Sequence, residues 1–367
     1  MTSQQVSLFT DYEINGKALH NRFAVAPMTR VSATAEGLAN ERMARYYERF
    51  AKGGFSLVVT EGIYTDKKFA QGYQFQPGLS DHAQAESWRQ VVARMHDHDA
   101  LIFAQLMHAG ALSQGNRFVT HTAGPSAVQP KGKQIEFYYG SGDYPLPTAM
   151  TDSDISDAID GFVQSAQRSV EVAGFDGIEI HGANGYLLDQ FMTDYTNHRN
   201  DSWGGSVQRR LALTLEVIKR TRKTLGNQVP IGVRISQSKV NDYEHKWAGG
   251  EKDAEVIFGM LAQAGVDYIH VTEYKAWKPA FSDSHLSLVA LAKRYSSGTT
   301  IIANGALHEP SRAEQVLNDG ADIVTLGKGA LSNADFPNKL QRGQSINPIN
   351  TEMLGPIANL KDYELEL

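Results

Sequence analysis

The chain has 367 residues, 41% of them apolar and 21% charged, a balance that suits a globular protein with a substantial buried core. The absence of cysteine excludes disulfides, thiolate metal sites, cysteine nucleophiles and iron–sulfur clusters at once. A net charge of −6 offers no basic surface for nucleic acid or an anionic membrane, and with neither a signal peptide nor an apolar run of roughly 18 residues a soluble, cytoplasmic protein is expected.

Residues 1–22 contain Asn15-Gly16, the signature of a tight hairpin turn. Eight short apolar, β-branched runs then recur: FAVAPM (23–28), FSLVVTEG (55–62), LIFAQL (101–106), GIEIHG (177–182), IGVRIS (231–236), YIHVTE (268–273), TIIANG (300–305) and IVTLGK (323–328). Near-continuous apolar runs suit parallel strands covered by helices. Between Thr151 and Gly174, Ile155, Ile159, Phe162, Val163, Ala166 and Val170 keep one helical face. Thr151 and Asp154 form a capping box there, and Gly174 is the stop. A second helix starts near Ser206, buries Val207, Leu211, Leu215 and Ile218, and ends at Gly226.

Eight strand–helix alternations predict an α/β chain closed as a (β/α)8 TIM barrel, with the N-terminal hairpin across its bottom; a doubly wound open sheet is the competing arrangement. The barrel is favoured by polar residues at the C-terminal strand ends, where barrel active sites lie: Thr29, Glu61, Gln105, His181, Arg234, Glu273, Asn304 and Lys328. The last two strands run into glycine turns suited to phosphate, and no Gly-rich fingerprint follows the first strand. Three excursions are long enough to be lids or substrate walls: 107–150 after the third strand, holding QIEFYYGSG as a hairpin candidate, then 237–250 and 274–284. With no internal boundary, residues 1–367 read as one barrel unit carrying 107–150 as a capping insertion.

The densest cluster of chemically capable residues is HGANGYLLDQFMTDYTNHRNDSWGG, which begins as the strand GIEI ends. His181 and Asn184 are thereby expected in a loop over the barrel mouth. A histidine N–H and an amide N–H can aim at one carbonyl oxygen and stabilise a developing enolate. Tyr186 adds a phenol able to protonate the neighbouring carbon. The structural alternative is that His181 and Asn184 satisfy loop backbone while Tyr186 packs beneath a neighbouring loop.

HGANGYLLDQF with the continuation Asn197, His198, Arg199, Asp201, Trp203, Gly204 and Gly205 closely resembles the signature of the old yellow enzyme family of FMN-dependent ene-reductases, and matching pieces follow in order along nearly the whole chain. The resemblance implies tightly bound FMN, NADPH or NADH as reductant, and a small activated alkene as substrate. It implies that His181 and Asn184 hold the substrate carbonyl and that Tyr186 is the proton donor. It places Ala26, Pro27, Met28 and Thr29 in the first flavin-contacting turn, with the Thr29 hydroxyl near O4. Gly62 would let backbone approach the ring, Gln105 would meet the pyrimidine edge, and Arg234 would stand near N1 and O2. Asn304 with Gly305, and Gly327 with Lys328, would hold the phosphate; Lys328 stands where the family has arginine.

Each residue also has a plainer reading: Thr29 as a turn hydroxyl, Gly62 as a strand-ending turn, Arg234 in a buried ion pair, the last two turns as ordinary barrel turns. His108 is read as structural, and Asn197, Arg199, Asp201 and Trp203 as a polar clamp shaping their loop. Tyr64, Tyr274 and Trp277 are candidates for the pocket wall. Two other functions compete: a flavin-free barrel lyase acting on a phosphorylated substrate, and a non-catalytic ligand-binding barrel. The first needs a Schiff-base lysine or metal carboxylates, and no lysine other than Lys328 ends an interior strand in this reading. Missing cysteine sets the chain apart from larger relatives fused to an iron–sulfur domain.

Overall fold

All eight apolar runs are strands in the computed structural model, which describes residues 7–366. They are β1 (Phe23–Val25), β2 (Leu57–Val59), β3 (Leu101–Met107), β4 (Gly177–Asn184), β5 (Ile231–Lys239), β6 (Tyr268–Thr272), β7 (Thr300–Asn304) and β8 (Ile323–Leu326). Each pairs in parallel with its sequence neighbours, and β8 pairs with β1 (Leu326 opposite Val25), so the sheet closes on itself. This is a (β/α)8 barrel, not an open sheet. Among the described residues no helix is long and apolar enough to cross a membrane.

The bottom of the barrel is an apolar plug. Strands Tyr12–Ile14 and Lys17–Leu19 form the hairpin, turning at Asn15 and Gly16 in left-handed backbone. Ile14 and Leu19 pack upward against Ala24, Leu57, Phe103, Tyr268, Ile302 and Ile323. Residues 7–22 thus lie where the sequence places them; residues 1–6 fall outside the described residues. Gly232 on β5 is glycine for a steric reason: a Cβ there would sit 2.2 Å from the Tyr268 ring.

The helices follow their sequence signals with local departures. Helix Asp152–Arg168 has its capping box, Thr151 with Asp154, then widens into a π turn over Ser169–Ala173 before Gly174 stops it in left-handed backbone. The pattern from Ser206 is two helices, Val207–Arg210 and Ala212–Leu225, broken at Leu211, and the deepest positions include Leu213 and Val217 rather than Leu215.

Two expectations need correction. QIEFYYGSG is not a strand hairpin: Lys133 and Asp143 make one antiparallel bridge, but between them Glu136–Tyr138 is a 3-10 turn. The Gln114 amide takes the Ile135 N–H and donates to the Ile135 and Tyr138 carbonyls, so a distant side chain claims the backbone groups a ladder would use. Strands β4 and β5 also run further than expected, because Asn184 pairs with Lys239. His181 and Asn184 therefore stand on a strand rather than a loop, and the excursion after β5 begins only at residue 240.

Candidate active site

Strand period two decides what faces the barrel axis. Above the apolar floor the inward positions turn polar: Gln105 on β3, Glu179 and His181 on β4, Arg234 on β5, His270 and Thr272 on β6, Asn304 on β7 and Thr325 on β8. Gln105 Nε2 donates to Glu179 Oε1 at 2.8 Å, and its backbone N–H donates to Thr60 Oγ1 at 3.0 Å. Arg234 is buried, yet its acceptors are neutral: Nη2 donates to Thr272 Oγ1 and Asn304 Oδ1, each at 3.1 Å. Its Nε is buried with no partner among the described residues, which counts against the closed structural ion pair.

Asn304 serves Arg234 and not the outer turn. Its Oδ1 accepts from Arg234 and Thr272 while its Nδ2 donates to the Thr325 carbonyl at 3.1 Å. The turn it begins is tight: Gly305 has φ +140° and a Cβ there would lie 2.1 Å from the Glu273 carbonyl oxygen. Gly327 precedes helix Lys328–Ser332, whose first-turn N–H groups have no intrahelical acceptor. The Lys328 side chain is exposed. Ala26 N–H donates to the Leu326 carbonyl at 2.9 Å, bringing the Ala26–Pro27–Met28–Thr29 turn beside that glycine turn, with Met28 Sδ facing Gly327. Gly62 lies against Met107 at the end of β3.

His181, Asn184 and Tyr186 come together at the rim. The His181 and Tyr186 rings meet edge-on with centroids 5.0 Å apart. Ala183 N–H donates to His181 Nδ1 at 3.4 Å, which leaves the imidazole proton on Nε2. Burial, reinforced by Arg234 and His270, holds the His181 pKa well below its ordinary value, so the ring is neutral. Asn184 has φ +62° and is fixed by its backbone N–H on Ser236 Oγ at 2.8 Å, while its side-chain amide has no hydrogen-bond partner among the described residues. Tyr186 is buried and hydrogen-bonded to the Tyr73 hydroxyl; burial raises its pKa, keeping the phenol protonated. The His181 imidazole and the Tyr186 phenol thus border one space at the rim, with Asn184 on the strand that carries His181.

The wall of that space comes from residues the sequence did not single out. Tyr73, Tyr138, Tyr144, Met107, Leu112 and Ile357 pack with Tyr186. Tyr138 reaches in from the 3-10 turn of the cap, against Tyr73 and the Thr29 hydroxyl. Ile357 belongs to a C-terminal segment tied down by Ala358 N–H on the Phe137 carbonyl. Below it, the Arg30 guanidinium forms a buried two-point ion pair with Glu364 at 2.7 and 2.6 Å. The proposed wall residues are elsewhere: Tyr64 is buried against Gln84 and Phe118, Tyr274 is exposed, and Trp277 lies under the Arg312 guanidinium.

The structural readings hold. His108 Nε2 faces Asp66 at 3.2 Å. Asn197 Nδ2 bonds the Phe191 and Trp203 carbonyls, and Arg199 grips Asp201 and the Met150 carbonyl. The survey of strand-end lysines does not: Lys239 ends β5 and is buried, because β5 is three residues longer than expected. Its ammonium lies 2.8 Å from both oxygens of Asp189, so it is no free amine. Of the residues sequence reasoning passed over, Glu179 and His270 had a visible signal, each being a polar residue inside an apolar strand. The mouth tyrosines had none.

Residues 7–347 match the model of the NADH:flavin oxidoreductase / NADH oxidase family. The chain belongs to that family, the old yellow enzymes. Its cofactors are accordingly FMN and NADH or NADPH, and it is an NAD(P)H-dependent flavin oxidoreductase. Over 375 residues it is 30% identical to 12-oxophytodienoate reductase 2 of Arabidopsis thaliana, covering 98% of this chain and 96% of the relative. It is 31% identical to an NADH oxidase of Thermoanaerobacter brockii over 92% of the chain, but spans only 51% of that longer protein. The old yellow enzyme homologue of Zymomonas mobilis superposes with a TM-score of 0.87 at 27% identity, covering 98% of both chains. Morphinone reductase in complex with tetrahydroNAD gives 0.84 at 26% identity, covering 95% and 94%.

Proposed function

We propose that the protein reduces activated C=C bonds, those of α,β-unsaturated aldehydes, ketones, imides or nitroalkenes, and that the rim described above holds both FMN and substrate. One observation carries the reading: a neutral, Nε2-protonated His181 edge-on to the protonated Tyr186 phenol, with Asn184 on the same strand end. FMN, when bound, supplies the hydride acceptor for the nicotinamide and the hydride donor for the alkene.

The chain's own part is binding, orientation and one proton. Arg234, a buried cation with an unpartnered Nε, suits the N1 and O2 edge of a flavin that becomes anionic on reduction. Gln105 would hold the pyrimidine edge, Thr29 would donate toward O4, and Ala26, Pro27, Met28 and Gly62 would bring backbone against the ring. The backbone N–H groups at Gly305, Gly327 and Lys328 would hold the phosphate; Asn304 contributes by orienting Arg234. His181 and Asn184 donate to the substrate oxygen, and Tyr186 gives its proton to the carbon beside the activating group. The nicotinamide and the alkene use one space in turn, so the kinetics are ping-pong.

Stopped-flow measurement of the two half-reactions tests this. Tyr186→Phe should slow alkene reduction by roughly 10²–10⁴, the range for a general acid, and leave flavin reduction by the nicotinamide nearly untouched. His181→Ala should weaken phenol binding while FMN stays bound. Equal losses in both half-reactions, or unchanged phenol affinity, would refute the assignment.

A further inference from the structure

Between the barrel's apolar floor and its rim runs a buried set of side chains that the proposed chemistry leaves unused. Glu179 is fully buried at the centre of β4. Its Oε1 accepts from Gln105 Nε2 at 2.8 Å, its Oε2 faces His270 Nδ1 at 2.8 Å, and His270 Nε2 faces Thr325 Oγ1 at 3.0 Å. Stability does not explain a carboxylate here. Just beneath it Phe103 and Tyr268 close an apolar layer, and an apolar side chain in place of a buried charge is often neutral or stabilising.

Two consequences follow from the geometry. A primary amide has two ends of nearly the same shape, but a carboxylate only accepts. If Gln105 were flipped, its Oε1 would face Glu179 Oε1 with no proton between them. Glu179 therefore leaves Gln105 showing one carbonyl oxygen and one N–H in a fixed order, the complement of an N–H beside a C=O. The second consequence is charge. Burial alone would push the Glu179 carboxyl up, but the His270 hydrogen bond, the Arg234 cation and the Gln105 hydrogen bond outweigh it and hold it below its ordinary range. Burial likewise pulls His270 down, so a neutral ring donates Nδ1–H to Glu179. One buried anion thus lies one inward layer below one buried cation, Arg234.

We propose that Glu179, held by His270, is a positioning residue for the flavin: it fixes the order of donor and acceptor that Gln105 presents to the pyrimidine edge, and it opposes the charge that Arg234 offers the reduced ring. This rests on the reading of Gln105 and Arg234 as FMN ligands. Glu179 thereby lowers the flavin's tendency to accept electrons while securing its seat.

Glu179→Gln and Glu179→Met separate the two effects. Glutamine keeps the volume and an acceptor for Gln105, since His270 can change tautomer and donate to Thr325, whose hydroxyl lies 3.0 Å from the Ala303 carbonyl. FMN titration of the apoprotein and dye-referenced redox titration of the holoprotein are the readouts. Glu179→Gln should bind FMN like the parent, yet show a reduced-to-oxidised ratio roughly tenfold higher at the same poise, the scale of one charge acting across about 10 Å of protein interior. Glu179→Met should weaken FMN binding roughly tenfold, the scale of one oriented hydrogen bond to a charged group. Gln105→Leu is the control for the underlying reading. If it binds FMN like the parent, that reading falls. If it binds poorly while Glu179→Met binds like the parent, this proposal alone falls. An unchanged or lowered ratio in Glu179→Gln also overturns it, and decides the matter should Glu179→Met not fold.

Discussion

Replacing Glu61 by glutamine should stabilise the protein above neutral pH and change little near pH 5. Glu61 follows β2 and precedes Gly62; its buried carboxylate accepts from the Arg30 N–H at 3.1 Å and the Tyr47 hydroxyl at 3.3 Å. Burial pushes its pKa up to about 7 from 4.5, although Arg30 and Tyr47 pull the other way. The folded state then holds a proton that the unfolded state has released between those two values. By linkage, stability falls as pH rises from about 4.5 to about 7, and the full penalty persists above that. A displacement of about 2.5 units corresponds to about 3 kcal/mol, of which about 1 kcal/mol has accrued at pH 5. The advantage of Glu61→Gln should therefore grow by about 2 kcal/mol between pH 5 and pH 8. At roughly 2.1 cal/mol/K per residue the unfolding entropy of this chain is about 0.8 kcal/mol/K, so the gain is about 3 °C in Tm. Thermal unfolding by circular dichroism with saturating FMN, taken as the difference between variant and parent at each pH, cancels groups common to both. A difference that is flat with pH, or that shrinks toward pH 8, refutes the reasoning.

Three further outcomes are expected. Gly305→Ala places a Cβ 2.1 Å from the Glu273 carbonyl oxygen, so chemical denaturation should show a loss of about 3 kcal/mol and FMN titration a weaker site; parental values in both would contradict the contact. Glu364→Ala leaves the Arg30 guanidinium buried without its partner and should cost roughly 3–5 kcal/mol, read by denaturation and by faster proteolysis of the C-terminal segment. The double variant Arg30→Met with Glu364→Met should cost less than Glu364→Ala alone. Tyr73→Phe removes the hydroxyl that partners Tyr186 and should slow the alkene half-reaction by roughly tenfold, the effect of one hydrogen bond, with flavin reduction unchanged. A loss shared by both half-reactions would make Tyr73 a packing residue only.

The barrel was legible because its strands are short, β-branched and separated by capped helices, signals that act locally. Thr151 with Asp154, Gly174 and Asn15-Gly16 each do in the structure what their residue types require. The cap was not legible in the same way. QIEFYYGSG has the alternation of a hairpin, but the Gln114 amide, distant in sequence, takes the backbone groups a hairpin would pair. Strand ends were misjudged where pairing continued past the apolar run, which hid Lys239 and set His181 and Asn184 in a loop.

The candidate site divides along the same line. Residues on strands could be placed from the period: once Phe103 and Tyr268 face the axis, Gln105 and His270 must face it one layer higher, and Glu179 and Arg234 follow from register. Tyr73, Tyr138 and Tyr144 sit on irregular backbone, where no period relates one side chain to the next. Their convergence on Tyr186 depends on Gln114 holding the cap and on Ala358 holding the tail. On the proposed reading the barrel interior sets which polar groups would meet the flavin edge, while long-range loop contacts set the shape of the space above it. Family membership carries over the first more securely than the second, so substrate preference should change with Tyr138 and Ile357 sooner than with Gln105 or Arg234.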